Sequence, residues 1–160
     1  MIIQKADLFK NLSPEAMQEI SKIMKEESHE KNTVLYTTSS PAQHFFILIQ
    51  GRVRLTMETA AKIDYTLTRE GEIFGWSSMV GRSTYTAGGE CVVPTRLVRI
   101  DKDELEKVFQ RYPSDGMTFY KGLSAAIARR LMENYSSFLS HGGLSSATYG
   151  TGQVMSSAEE

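Results

Sequence analysis

The sequence predicts a mainly β domain, an antiparallel barrel or sandwich bracketed by helices, and three observations carry that prediction. Between residues 33 and 100, apolar residues recur with a period of two. Turn signals at Ser39-Ser40-Pro41, Gly51, Gly71 and Gly88-Gly89 cut this stretch into short runs. Helical periodicity occurs only before and after it. At 160 residues, 41% of them hydrophobic, the chain suits one domain able to bury a core without covalent staples.

The elements follow in order. Ser13 is placed to cap a helix whose first turn takes Pro14, and Met17, Ile20 and Met24 fall on one face. The polar residues 25–32 end that helix. Val53, Leu55 and Met57 then point one way against Arg52, Arg54 and Thr56. Ile63, Tyr65 and Leu67 repeat the alternation against Asp64, Thr66 and Thr68, and Val98 and Ile100 close the series. Asp101 and Glu104 have capping-box spacing ahead of a short amphipathic helix carrying Leu105, Val108 and Phe109.

Pro113 and Ser114 introduce a longer helix over residues 114–139, about 39 Å in length at 1.5 Å per residue. Tyr120, Ser124, Ile127, Leu131, Asn134 and Phe138 are spaced 4, 3, 4, 3 and 4 residues apart, the spacing of a coiled-coil seam. Phe119 and Leu123 belong to a neighbouring face that packs on the β core. The seam predicts a homodimer; its alternative is a helix buried within one chain. Residues 1–140 are thus expected to form one domain including the dimerisation helix. Residues 141–160, rich in Gly, Ser, Ala and Thr without a sustained period, are expected to form a flexible tail.

Composition excludes several classes. A single cysteine, Cys91, rules out an internal disulfide framework and cannot hold an iron–sulfur cluster. The longest strongly apolar run, FFILI at 45–49, is far short of a membrane span, and no signal-peptide core leads the chain. A cytoplasmic location is expected, with no membrane partner. Formal net charge of −1 makes direct DNA binding an unfavoured role; Arg52, Arg54, Arg96, Arg99, Arg129 and Arg130 read as solvated sides of strands and a helix. His29, His44 and His141 lack metal-ligand spacing, and haem at His44 has nothing specific behind it. No nucleophile elbow, Walker lysine or dinucleotide fingerprint is present, and Asp101, Asp103 and Glu104 read as a helix cap. No enzyme is indicated.

The order of helix, short strands, short helix and long seam-forming helix resembles the cyclic nucleotide-binding domain, specifically the sensor half of bacterial Crp/Fnr-type regulators, over about residues 7–140. LFKNL at 8–12 resembles the family's entry into its first helix, and FFILIQGRVRL at 45–55 its central hairpin. EGEIFGW at 70–76 is similar to the approach to the phosphate-binding cassette, and LSAAIARRLMENYSSFL at 123–139 to the dimerising helix. The resemblance implies a double-stranded β-helix, a jelly-roll-like antiparallel barrel with a long C-terminal dimerisation helix.

It also implies a ligand site on the loop FGWSSMVGRSTYTA, residues 74–87. Gly75 matches the cassette glycine, but Trp76 stands where a glutamate would receive the ribose 2′-OH. Tyr85 stands where an arginine would neutralise the phosphate. Thr86 keeps the hydroxyl position and Ala87 the small one, while Ser77 adds a further hydroxyl. Asn134 and Tyr135 occupy the positions that contact the base in cAMP-responsive members; Asn134 equally suits a seam residue that fixes helix register. Hydrogen bonds to charged groups contribute about 1.5–3 kcal/mol each. Losing both anchors therefore weakens cyclic nucleotide binding by roughly two to four orders of magnitude unless something replaces them. Arg82 with Ser83, in a shifted register, is the replacement within the loop.

Three readings of the pocket stay open: an altered, aromatic or apolar effector; weak cyclic nucleotide binding; and a pocket filled by Trp76 and Tyr85. In function the chain reads as a small-molecule sensor or regulatory module whose loop 74–87 is coupled to a dimer helix, signalling to a separate effector protein. The alternatives are a ligand-free dimerisation scaffold and a Crp/Fnr-type transcription regulator lacking its own DNA-binding domain.

Overall fold

A computed structural model describes residues 6–58, 62–140, 147–150 and 153–156. Helix α1 (Pro14–Ile23) is followed by strands β1 (Met24–His29), β2 (Val34–Tyr36), β3 (His44–Gln50), β4 (Val53–Glu58), β5 (Lys62–Leu67), β6 (Ile73–Phe74), β7 (Gly88–Cys91) and β8 (Thr95–Asp101). Helices α2 (Lys102–Arg111) and α3 (Pro113–Ser140) come next, then strands β9 (Ala147–Gly150) and β10 (Gln153–Ser156).

The first eight strands form two four-stranded sheets, ordered β1-β8-β3-β6 and β2-β7-β4-β5. The antiparallel pairs β1 with β8, β2 with β7, β3 with β6 and β4 with β5 are nested. One long hairpin with its tip at β4–β5 has therefore been rolled up, which is the jelly-roll solution to edge strands. The result is two facing sheets rather than one closed barrel. The run FFILI in β3 is buried at every position because both of its faces are covered. Phe46 and Leu48 join Val53, Leu67, Phe74 and Leu97 between the sheets. On the other side Phe45 meets Phe119 at 6.1 Å between ring centroids, and Phe119 meets Phe9 at 5.6 Å and Phe109 at 4.9 Å.

Two segments read from the sequence as breaks are strands. Residues 25–32 do not simply end α1: Met24 already begins β1, which pairs in register from Met24↔Ile100 to His29↔Thr95. This edge strand is polar because its side chains are held by β8, Glu26 by Arg96 and Glu27 by Arg99 Nε at 2.7 Å. Arg96 and Arg99 are cross-strand partners of carboxylates rather than merely solvated. Gly88-Gly89 is likewise no turn but part of β7, and Gly89 is small for a reason given below.

Both expected caps form. Ser13 Oγ accepts from the Ala16 N–H at 3.2 Å, and Asp101 Oδ1 accepts from the Glu104 N–H at 3.0 Å. Ser13 also donates through N–H (2.6 Å) and Oγ (2.9 Å) to the Asp115 carboxylate, pinning the first turn of α3 to the start of α1.

The chain divides into two compact units, Met1–Tyr120 and Lys121–Glu160. The second holds most of α3 and an antiparallel pair, β9 and β10, with Gln153↔Gly150 to Ser156↔Ala147 in register. Of the expected tail, residues 141–146 with His141, residues 151–152 and residues 157–160 lie outside the described residues, as does the Phe138 side chain. Along α3 the seam residues are not equivalent. Tyr120 is half-buried, its ring 6.0 Å from Phe109, and Ile127 is half-buried too. Ser124 and Asn134 are exposed, and Leu131 (48%), Met132 (62%) and Tyr135 (48%) present apolar surface to solvent in the single chain.

Candidate functional site

The loop 74–87 is built around two left-handed glycines. Gly75 has φ +70° and caps a 3-10 helix over Trp76–Val80, which Gly81, also left-handed, closes by donating its N–H to Ser77 O. A Cβ on Gly75 would lie 2.7 Å from Phe46 Cδ2 and 3.2 Å from His44 O. Glycine is demanded here by packing as well as by backbone conformation. The far end of the loop is laced to residues 39–42: Ser39 N–H donates to Tyr85 O (2.9 Å), Tyr85 N–H to Ser40 O (3.0 Å) and Ala42 N–H to Ser83 O (2.9 Å).

That lacing turns Tyr85 inward, where it is only 4% exposed. Its ring stacks on Tyr36 at 4.0 Å and 23°, and Tyr36 in turn lies 5.5 Å from Phe46. Its hydroxyl donates to His44 O (2.8 Å) and accepts from the His44 N–H (3.0 Å). Burial pushes the phenol pKa above its ordinary value, against the opposing pull of these backbone hydrogen bonds. Tyr36, which carries no motif in the sequence, shares the plug: a Cβ on Gly89 would lie 2.8 Å from Tyr36 Cζ, so the glycine makes room for the ring.

The other residues expected at the site separate into three groups. Ser77 is buried, its Oγ 3.4 Å from Thr86 Oγ1, so two of the loop's hydroxyls face one another. Trp76 and Ala87 are half-buried, while Arg82, Ser83 and Thr86 are exposed. Among the described residues no acidic side chain pairs with the Arg82 guanidinium. Asn134 and Tyr135 lie on α3 in the other compact unit, both exposed.

A residue that sequence reasoning set aside is central. The His44 backbone holds Tyr85, and its carbonyl also lies 3.2 Å from Ser78 Oγ, a buried hydroxyl in the 3-10 helix. Its ring lies 2.6 Å by Nε2 from Arg99 Nη1 and 3.9 Å from Asp101 Oδ2. A guanidinium only donates, so Nε2 accepts and the ring is neutral, with its proton on Nδ1. Burial first, and the Arg99 charge second, hold the His44 pKa below its usual value. Arg99 also bonds Glu27, whose other oxygen meets His29 Nε2 at 3.1 Å. Desolvation raises the Glu27 pKa, but Arg99 and His29 outweigh it and hold the carboxyl below the usual range.

Among the described residues no group of three or more His, Cys, Asp or Glu gathers as a metal site. No described helix is long and apolar enough to cross a membrane. Cys91 is buried, and burial pushes its thiol pKa up.

A family model for the cyclic nucleotide-binding domain matches residues 26–112. The global nitrogen regulator of Nostoc sp. PCC 7120 is 26% identical over 110 residues, 66% of this chain and 49% of that protein. A cyclic nucleotide-binding domain from Methylobacillus flagellatus KT superposes with a TM-score of 0.75 at 21% identity, covering 95% of this chain and 83% of that one. The sensor domain of the transcriptional regulator DNR from Pseudomonas aeruginosa gives a TM-score of 0.66 at 24% identity, covering 81% and 91%. The two structural likenesses concern the fold alone. The chain spans about half the length of the curated relatives it matches.

Proposed function

The chain belongs to the cyclic nucleotide-binding domain family, and on that premise we propose that it is a Crp/Fnr-type sensor module whose effector is not held as cAMP would be. The observation that carries this reading is Tyr85. The side chain at the expected anion-binding position is stacked on Tyr36 and has both its donor and its acceptor engaged by His44. It offers no charge and no free donor to a phosphate. What the loop leaves uncommitted at its surface is Arg82 and Ser83, and the same loop carries the half-buried indole of Trp76. That set suits a small effector with an apolar or aromatic body and one polar end.

The signal would run from the loop through His44 and the adjoining Gln43, whose carbonyl accepts from the Lys102 N–H at 2.9 Å at the start of α2. From α2 it passes through Phe109 and Phe119 into α3. An effector with different affinities for two arrangements of α3 supplies the driving term. The module works as a homodimer: the exposed Leu131, Met132 and Tyr135 on α3 are what a second copy would cover.

The same plug favours a second reading, a ligand-free dimerisation scaffold, because a filled core needs no effector to be stable. Titration calorimetry against cAMP and cGMP, with native mass spectrometry for a copurifying molecule, separates the readings. The sensor reading expects a bound or titratable small molecule whose affinity drops in Arg82→Ala or Ser83→Ala. Silence with every nucleotide and no copurifying mass favours the scaffold. Submicromolar cAMP binding would overturn the altered-effector reading outright.

A further inference from the structure

Three groups of side chains meet at the first residue of β3. On one side the His44 backbone takes the hydroxyl of Tyr85 and lies within reach of Ser78, both belonging to the loop 74–87. On the other, its ring faces Arg99 and Asp101 from β8, with Glu27 and Lys25 of β1 completing the charges around it. Asp101 is also the residue that caps α2, its Oδ1 accepting from the Glu104 N–H.

The two protonation states of this imidazole want different neighbours. Neutral, Nε2 accepts from Arg99. Protonated, it can accept nothing, and two cations would stand 2.6 Å apart. Asp101 Oδ2, at 3.9 Å, is then the partner within reach, and engaging it draws on the same carboxylate whose Oδ1 caps α2. Arg99 keeps Glu27 in either state.

We propose that His44 is a proton-sensitive positioning residue, toggling between Arg99 and Asp101 and thereby linking the arrangement of the effector loop to the start of α2. This deepens the sensor reading by adding regulation at the same loop, but its test requires no effector. A module whose effector binding proves absent could still pass it, so the two failures are distinguishable. Protonation draws the ring toward Asp101 and pulls on the backbone groups that hold Tyr85 and Ser78. Acid therefore loosens the plug and the α2 cap together. The depressed His44 pKa agrees with a native state that selects the Arg99 partner, and it places the toggle below the usual imidazole value near 6.5.

The chain carries its own reporter, since Trp76 is its only tryptophan and follows Gly75 directly. The full chain is titrated from pH 8 to pH 5, following His44 by the NMR shifts of its ring carbons, the loop by Trp76 fluorescence and the α2 cap by the Glu104 amide. One shared midpoint below 6.5 is expected. In His44→Gln, which keeps an acceptor for Arg99 but cannot titrate, the Trp76 and Glu104 transitions vanish while circular dichroism shows the fold retained. In Arg99→Met the shared midpoint rises toward 6.5. In Tyr85→Phe the histidine and Glu104 still titrate together but the Trp76 response falls severalfold, because the link to the loop is cut. Persistence of the Trp76 transition in His44→Gln overturns the proposal. So does titration of His44 with Trp76 and Glu104 both unmoved.

Discussion

Replacing Tyr85 by phenylalanine distinguishes a plug from a ligand contact. The substitution keeps the ring that stacks on Tyr36 and removes only the hydroxyl. Two hydrogen bonds go with it, one to His44 O at 2.8 Å and one from the His44 N–H at 3.0 Å. The carbonyl keeps Ser78 Oγ as a donor at 3.2 Å, so its loss is partly made good. The amide N–H loses its Tyr85 acceptor, and the backbone bond beside it joins Gln43 O to the Lys102 N–H rather than to His44. An unsatisfied buried donor costs about 1–3 kcal/mol, so Tyr85→Phe is expected to lose about 2 kcal/mol. With a urea slope of about 1–3 kcal/mol/M, the midpoint should fall by roughly 1 M at unchanged slope. Tyr85→Ala adds the missing ring and should lose a further 3 kcal/mol or so. Equilibrium urea unfolding, followed by far-UV circular dichroism and Trp76 fluorescence, measures both. If Tyr85→Phe unfolds within 0.5 M of the parent, about the urea equivalent of 1 kcal/mol, while effector affinity collapses, the phenol is serving a ligand and the plug argument fails.

Gly75→Ala must place a Cβ 2.7 Å from Phe46 at a φ of +70°. A left-handed penalty of about 1–2 kcal/mol plus overpacking of about 1–3 kcal/mol should lower the thermal midpoint even with no ligand present. Leu131→Glu should convert the proposed dimer to monomers in sedimentation velocity at micromolar concentration, with secondary structure unchanged; an unaltered sedimentation coefficient excludes this face of α3 from the interface. Because the folded pKa of His44 lies below its unfolded value near 6.5, the unfolded chain takes up that proton first as pH drops. The stability due to this group is therefore whole above 6.5 and is lost as pH falls from there through the folded value. The urea midpoint of the parent should decline over that window, and that of His44→Gln should decline less.

The sequence was legible where short-range chemistry decides the outcome. Ser13 and Asp101 announce their helices because a cap bonds an amide three residues on. The alternation at residues 53–57 and 63–67 announces β4 and β5 because Val53, Leu55, Tyr65 and Leu67 meet the core. β1 was illegible for the complementary reason. Its Glu26 and Glu27 are made tolerable in a strand by Arg96 and Arg99, about seventy positions away. Which residues of α3 pack on their own chain was not legible: Tyr120 turns toward Phe109, a contact that depends on how α2 meets α3. At the site, Gly75 and Tyr85 were found from the motif, whereas Tyr36 and His44 were not. Tyr36 matters through a stack assembled from β2 and the loop, and its trace in the sequence is Gly89, read there as a turn.

The retained parts of the cradle are also the parts the fold needs, and this weakens them as signs of a ligand. Gly75 is fixed by Phe46 and His44, Ser78 by the backbone it bonds, and Ser77 with Thr86 by their mutual contact. Each would be kept in a domain that binds nothing. A residue speaks for an effector only if the folded chain gains little from it, and by that standard Arg82 and Ser83 carry the weight. Both are exposed, and the Arg82 charge has no acidic partner among the described residues. An exposed, unpaired arginine adds little to stability, so Arg82→Ala should leave the urea midpoint within about 0.5 kcal/mol of the parent. Loss of a bound small molecule in that variant, at undiminished stability, would separate recognition from architecture in a way that no substitution at Gly75 or Tyr85 can.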